Sequence, residues 1–91
     1  MTDLEINRRC AEKMGESVVQ SAIYYDVLVY PETGYRYDPI HDDAQCMALI
    51  KAFPDEVLEA LTYMVDRHPR GTLPPDDLFN RTVCETVARM T

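Results

Sequence analysis

At 91 residues and 46% apolar composition the chain makes a single globular domain with one modest core, and it excludes a disordered segment. Its 16 acids against 9 bases leave a formal charge of −7, which repels a phosphate backbone, argues against free nucleic acid as partner and favours a basic protein surface. No run approaches the roughly 18 apolar residues of a membrane helix, and Met1–Glu5 is acidic where a signal peptide is basic and then apolar; a soluble, cytoplasmic protein with no membrane partner is expected.

The first element opens on a capping box, Thr2-Asp3-Leu4-Glu5, which predicts a helix from Asp3 to Met14. Ile6, Cys10, Ala11 and Met14 form its inward stripe, and Gly15 supplies a left-handed cap. From Ser17 to Tyr37 the chain is rich in β-branched and aromatic residues. From Ile23 the period is two: Ile23, Tyr25, Val27 and Val29 share one face, and Tyr24, Asp26, Leu28 and Tyr30 the other. Such a strand is covered on both faces, or covered once and open to a partner, which includes a second copy in a homo-oligomer. Pro31-Glu32-Thr33-Gly34 reads as the turn of a hairpin, and Tyr35 to Tyr37 as its returning strand.

After the Asp38-Pro39 turn, Asp42 caps a second helix, with Gln45 placed to reach back as the other half of a capping box. Cys46, Leu49, Ile50 and Phe53 give that helix one apolar face. Pro54 breaks the chain. Asp55 to Val65 follows a helical pattern, although Leu61–Val65 alone also suits a strand. Arg67 to Pro75 is loop by composition, and Asp76 or Asp77 starts a last helix through Phe79, Val83, Val87 and Met90. The fold class is α+β: a small antiparallel sheet centred on a hairpin, flanked by three or four helices. Met14, Val27, Val29, Ile50, Phe53, Val83 and Val87 are expected in the core.

Chemistry-bearing residues are few. His41-Asp42-Asp43 has the dipeptide of metal phosphohydrolases, but no histidine precedes it to complete a ligand set, and both aspartates suit a helix N-terminus. Cys10, Cys46 and Cys84 are odd in number and widely spaced, without the pairing of a zinc site; buried reduced thiols are expected, and no metal. Asn80-Arg81-Thr82 matches a glycosylation sequon that carries no weight without a signal peptide. There is no glycine-rich phosphate cradle and no nucleophile elbow, so neither a catalytic residue nor a cofactor is expected. The basic cluster Arg67-His68-Pro69-Arg70-Gly71 offers Arg67 and Arg70 to a phosphate or acidic group. Five tyrosines fall in the hairpin region, and Tyr30, Tyr35 and Tyr37, with Glu32, are the candidate protein-contact residues, because a rigid amphipathic ring loses little entropy on binding.

Three segments, Glu5–Gly15, Tyr37–Lys51 and Phe79–Met90, together resemble the small phage ABA-sandwich domain proteins encoded in phage and prophage genomes. The middle one, with its Tyr-x-Pro, acidic cap and Ala-Gln on a helix, is the most specific. The resemblance implies a small antiparallel sheet flanked by helices, with strand where 55–65 otherwise reads as helix. It also implies an accessory protein acting on host machinery, for which no catalytic residues are known. The chain departs from that pattern in having Glu16, and no Trp, after the first-helix glycine. Together these readings lead to a non-catalytic protein that binds and inhibits a host protein in the host cytoplasm, in anti-defence by anti-CRISPR-like occlusion of a basic surface. The alternative is a module that binds or sequesters a small nucleotide-like ligand, stacking tyrosine rings and using Arg67 and Arg70 for phosphate.

Overall fold

A computed structural model describes residues 1–67 and 76–90, with only the backbone at 76 and 77. The first helix, α1 (Asp3–Met14), begins and ends where its caps dictate. Thr2 Oγ1 accepts from the Glu5 N–H at 3.2 Å, and Gly15 takes φ 70°, a left-handed turn that a Cβ disfavours. Three short strands follow, β1 (Val19–Gln20), β2 (Leu28–Val29) and β3 (Arg36–Tyr37), in an antiparallel sheet of that order. The remaining helices are α2 (Asp43–Ala52), α3 (Pro54–Asp66) and α4 (Asp76–Ala88). Among the described residues, four helices and a small antiparallel sheet make the fold α+β.

The last helix is the centre of the packing. α4 lies against α1, α2 and α3 and contributes Val83, Cys84, Val87 and Ala88 to the core. Ile6, Cys10 and Ala11 meet it from α1, Cys46 and Leu49 from α2, and Val57 from α3. Leu49 is fully enclosed, and truncating such a side chain to alanine costs about 2–5 kcal/mol through lost burial and the void left behind. Val83 and Val87 are buried as the spacing predicts, whereas Met14, Ile50 and Phe53 are half-buried at the margin of the core.

The sheet departs from the sequence expectation in length and in face. A continuous strand from Ile23 does not form, because Ser21 turns the chain: its Oγ accepts from the Ile23 and Tyr24 N–H groups at 3.2 Å each. Ser21 N–H then donates to Val27 O at 2.8 Å, so Ile23, Tyr24 and Tyr25 sit at the tip of a β1–β2 hairpin instead of in a ladder. Leu28, not Val27 or Val29, faces the core. Leu28 pairs directly with Tyr37, Val29 pairs with Arg36, and a register set by the buried Tyr37 leaves both valines only half-buried. The sheet is thus buried on the side of Leu28 and Tyr37, where β2 packs on α1, while Val19 and Arg36 are exposed.

Residues 54–66 are helical, so the strand implied by the resemblance is not present there. Pro54 occupies the first turn, where its missing N–H costs nothing, and Val57 and Met64 point inward two turns apart.

Candidate functional site

The contact residues expected from the sequence gather at the β2–β3 hairpin, with one exception. Gly34 takes φ 75° and donates to Tyr30 O at 2.8 Å, while Tyr30 N–H donates to Tyr35 O at 2.9 Å, closing a tight four-residue turn. This geometry leaves Tyr35 74% exposed, with Glu32 also in solvent. Tyr30 is half-buried and, with Glu32, borders a notch of about 510 Å³ that Gly15, Glu16 and Ser17 close from the end of α1. Burial, and then the negative charges of Glu16 and Asp42, push the Tyr30 phenol above its ordinary pKa, so it is a neutral donor at physiological pH.

Tyr37 is the exception. It is 3% exposed and belongs to the core, its ring perpendicular to that of Tyr30 at 5.9 Å between centroids. Burial pushes its phenol far above the ordinary range. Tyr37 supports the hairpin from beneath and offers no surface to a partner. What remains at the surface is an aromatic ring, a phenol donor and carboxylates, which suits recognition of a basic group. The contribution of Glu16 was invisible in the sequence, since only the tertiary fold brings the end of α1 beside the hairpin turn.

The His41-Asp42-Asp43 run is occupied structurally. Asp42 Oδ1 accepts from the Gln45 N–H at 3.0 Å as helix cap, Asp43 Oδ1 accepts from Asn80 Nδ2 at 3.0 Å, and His41 Nδ1 donates to Asp38 Oδ2 at 2.9 Å. Asn80, the sequon asparagine, is buried in that link between α2 and α4. Gln45 does not complete the capping box. Its Nε2 donates to Arg36 O at 2.7 Å and its Oε1 accepts from the Asp38 N–H at 2.6 Å, fastening α2 to the end of β3.

The three cysteines, one each from α1, α2 and α4, are free, fully buried and in contact. Cys10 Sγ donates to Cys84 O at 3.3 Å. Hydrogen bonds to Cys10 and Cys46, followed by burial, push the Cys84 thiol far above its ordinary pKa. Among the described residues no group of three or more His, Cys, Asp or Glu is arranged to hold a metal ion.

The residues of the alternative reading lie elsewhere. Arg67 stands with its guanidinium 4.5 Å from the centre of the Tyr63 ring, at one end of a groove of about 630 Å³ between α3 and α4. Ala60, Met64 and Thr86 line the groove, Arg89 contributes a second cation, and Glu56, Glu59 and Glu85 add negative charge. Tyr63 and Arg89 were not singled out by the sequence, though Tyr63 is one helical turn before Arg67 and so shares its face. Arg70 lies outside the described residues.

No protein-family model, curated protein or solved structure matches the chain. Among the described residues no helix is long and apolar enough to cross a membrane.

Proposed function

We propose that this chain is a non-catalytic binding protein that docks on a basic protein surface through its β2–β3 hairpin. The observation that carries the reading is Tyr35, a large rigid ring 74% exposed at a turn whose neighbours Tyr30, Glu32 and Glu16 present a phenol and carboxylates. Central aromatic anchors dominate binding energy, and surrounding charges set specificity and on-rate. The formal charge of −7 extends the same preference to the whole molecule. The resemblance to phage accessory proteins suggests the setting: a host protein, inhibited in the host cytoplasm by occlusion of its basic surface, as an anti-defence function requires.

A photo-crosslinking amino acid in place of Tyr35 tests this directly in host cells. The expected outcome is a discrete crosslink to a basic protein, absent when the same group replaces Tyr63 on the far helix pair. A crosslink from position 63 with none from position 35 would favour the second reading.

That second reading, a small nucleotide-like ligand, is favoured by one observation: the groove between α3 and α4 sets the Tyr63 ring against Arg67 with Arg89 in its wall. A ligand there stacks on an aromatic ring and offers phosphate to arginine. It predicts a rise in melting temperature with nucleotides that the Arg67→Ala variant abolishes.

A further inference from the structure

The two edges of the sheet are finished differently. Along β3 the outward-facing backbone groups are the Arg36 carbonyl and the Asp38 N–H, and the Gln45 side chain occupies both, at 2.7 and 2.6 Å. β1 is the other edge, and both of its residues are exposed. The Ser21 N–H donates inward to Val27 O, and successive residues of a strand bond to alternate sides, so the backbone groups of Gln20 and Val18 point away from β2. An open edge is a template for another strand, and natural proteins blunt it with charge, proline, a bulge or a covering element. Among the described residues β1 has none of these: Ser17–Tyr25 contains neither a charged residue nor proline, in a chain that is 27% charged.

The hairpin tip beside this edge is apolar. Ile23 is 80% and Tyr25 79% exposed, and Tyr24 and Val19 also stand largely in solvent. With a tyrosine side chain worth roughly 150–250 Å², these four leave on the order of 500 Å² in water. That is about the area per copy at which a specific interface begins, before the strand backbone is counted.

We propose that this edge is covered by a second copy of the chain, β1 pairing antiparallel with its mate across a two-fold axis at Val19. Charge selects the occupant. Each copy carries a formal −7, so two copies repel over most of their surfaces, and the uncharged stretch is where they can close. A basic partner would find its attraction at acidic residues, which this edge lacks. The geometry is self-complementary as well. With the axis at Val19, the outward groups of Val18 in one copy meet those of Gln20 in the other, in two reciprocal sets of hydrogen bonds. The two Val19 side chains then oppose each other on the face of the sheet away from Leu28 and Tyr37, as an apolar cross-strand pair. The two sheets join into one, and the β2–β3 hairpin of the docking reading takes no part in the pairing.

Sedimentation equilibrium of the full chain in reductant tests the association. The mean mass is expected to rise from 10.5 kDa toward twice that value between roughly 1 μM and 1 mM, the range of weak to moderate affinities. Val19→Lys sets two ammonium groups against each other at the axis and should weaken the dimer about tenfold, with the circular dichroism of the monomer unchanged. Val19→Cys reads the register. Opposed residues of a non-hydrogen-bonded pair stand about 4.5 Å apart between Cα atoms, within disulfide range. Met47 on α2 is exposed to the same 49% and serves as control, while the native thiols are buried. With oxidised glutathione, the Val19→Cys chain should crosslink to itself at least about tenfold faster than the Met47→Cys chain, because pairing raises its effective concentration. A monomer mass throughout the range, a dimer untouched by Val19→Lys, or equal crosslinking of the two cysteine variants would overturn the pairing. So would capture of a different protein by a photo-crosslinking group at position 19 while the chain itself stays monomeric, which would give the edge to another protein's strand.

Discussion

Tyr30 and Tyr37 stand edge to face with planes at 87°, and the two rings divide the work of the hairpin between surface and core. Tyr37 is buried opposite Leu28, Tyr30 rests half-buried beside it, and Tyr35 projects beyond both. Truncation should therefore separate stability from binding. Tyr37→Ala is expected to cost about 3–5 kcal/mol, the range for large aromatic truncations in a core, and to lower the denaturation midpoint accordingly. Tyr35→Ala should leave the midpoint within about 0.5 kcal/mol of the parent, as surface changes do, and weaken partner binding more than tenfold, consistent with a central anchor worth about 2 kcal/mol. Chemical denaturation and partner titration of both variants make the comparison, and loss of stability in Tyr35→Ala would remove that residue from the surface role.

Gln45 bonds two backbone groups of another element with one side-chain amide. Gln45→Ala leaves the Asp38 N–H and the Arg36 carbonyl without that partner, at an expected cost of about 1–3 kcal/mol. Hydrogen exchange gives the more specific readout: the Asp38 amide should lose protection in the variant while the α1 amides keep theirs. Equal loss across both would mean that the contact acts only through global stability.

What was legible in the sequence follows the range of the forces involved. Thr2, Gly15, Asp42 and Pro54 act on backbone groups within a turn of themselves, so the helix boundaries they imply agree with the structure to within a residue or so. The sheet was less readable because its decisions are non-local. Ser21 turns the chain before alternation can build a strand, and the face of β2 depends on Tyr37, nine residues after Leu28. Gln45 had two sets of backbone groups within reach, and only the folded position of β3 decides between them. At the candidate site, Tyr30, Glu32 and Tyr35 were readable because they share one hairpin, whereas Glu16 and the meeting of Cys10, Cys46 and Cys84 depend on how separate helices pack.

Asp3 and Arg81 join the first turn of α1 to α4 and give the stability a defined pH dependence. The hydrogen bond from Arg81, reinforced by its charge and opposed by partial burial, holds the Asp3 carboxyl below the usual carboxylate range. A depressed folded-state pKa contributes stability above the unfolded value of about 3.9, and that contribution is lost as pH falls through the folded value. Asp3 is about half exposed, with 48% of its side chain in solvent, so screening keeps the effect below about 1 kcal/mol. The gap between the urea midpoints of the parent and Arg81→Gln should narrow as pH falls through the folded-state value, where Asp3 takes up its proton in both states. A gap that stays constant with pH would assign the loss to packing instead.

The buried thiols give a kinetic prediction. Thiolates react and thiols do not, and Cys10, Cys46 and Cys84 are each at most 1% exposed. An aromatic disulfide reagent should therefore modify all three only as the protein opens, at a rate that rises with denaturant along the unfolding transition. Prompt reaction of any one thiol in the native protein would contradict the burial of the cluster.

Association with the partner should depend on salt mainly through its on-rate. The chain carries −7 formal charge, and at the candidate surface Glu16 and Glu32 flank the hairpin. Charges of this kind steer encounter over several ångströms of water, raising on-rates by about tenfold to a thousandfold at low salt. Their reach is about 8 Å at physiological ionic strength and about 3 Å at 1 M, so added salt removes the steering while leaving the buried face of a docked aromatic ring largely untouched. Surface-resonance or stopped-flow measurements from low to high salt should show the association rate falling at least about tenfold while dissociation changes little. Charge reversal at Glu32→Lys should reproduce part of that fall at low salt and lose its effect at high salt, whereas Tyr35→Ala should act on dissociation at every salt concentration. A salt-independent on-rate, or a Tyr35→Ala effect confined to association, would remove the electrostatic docking surface and leave the groove beside Tyr63 and Arg67 as the better site.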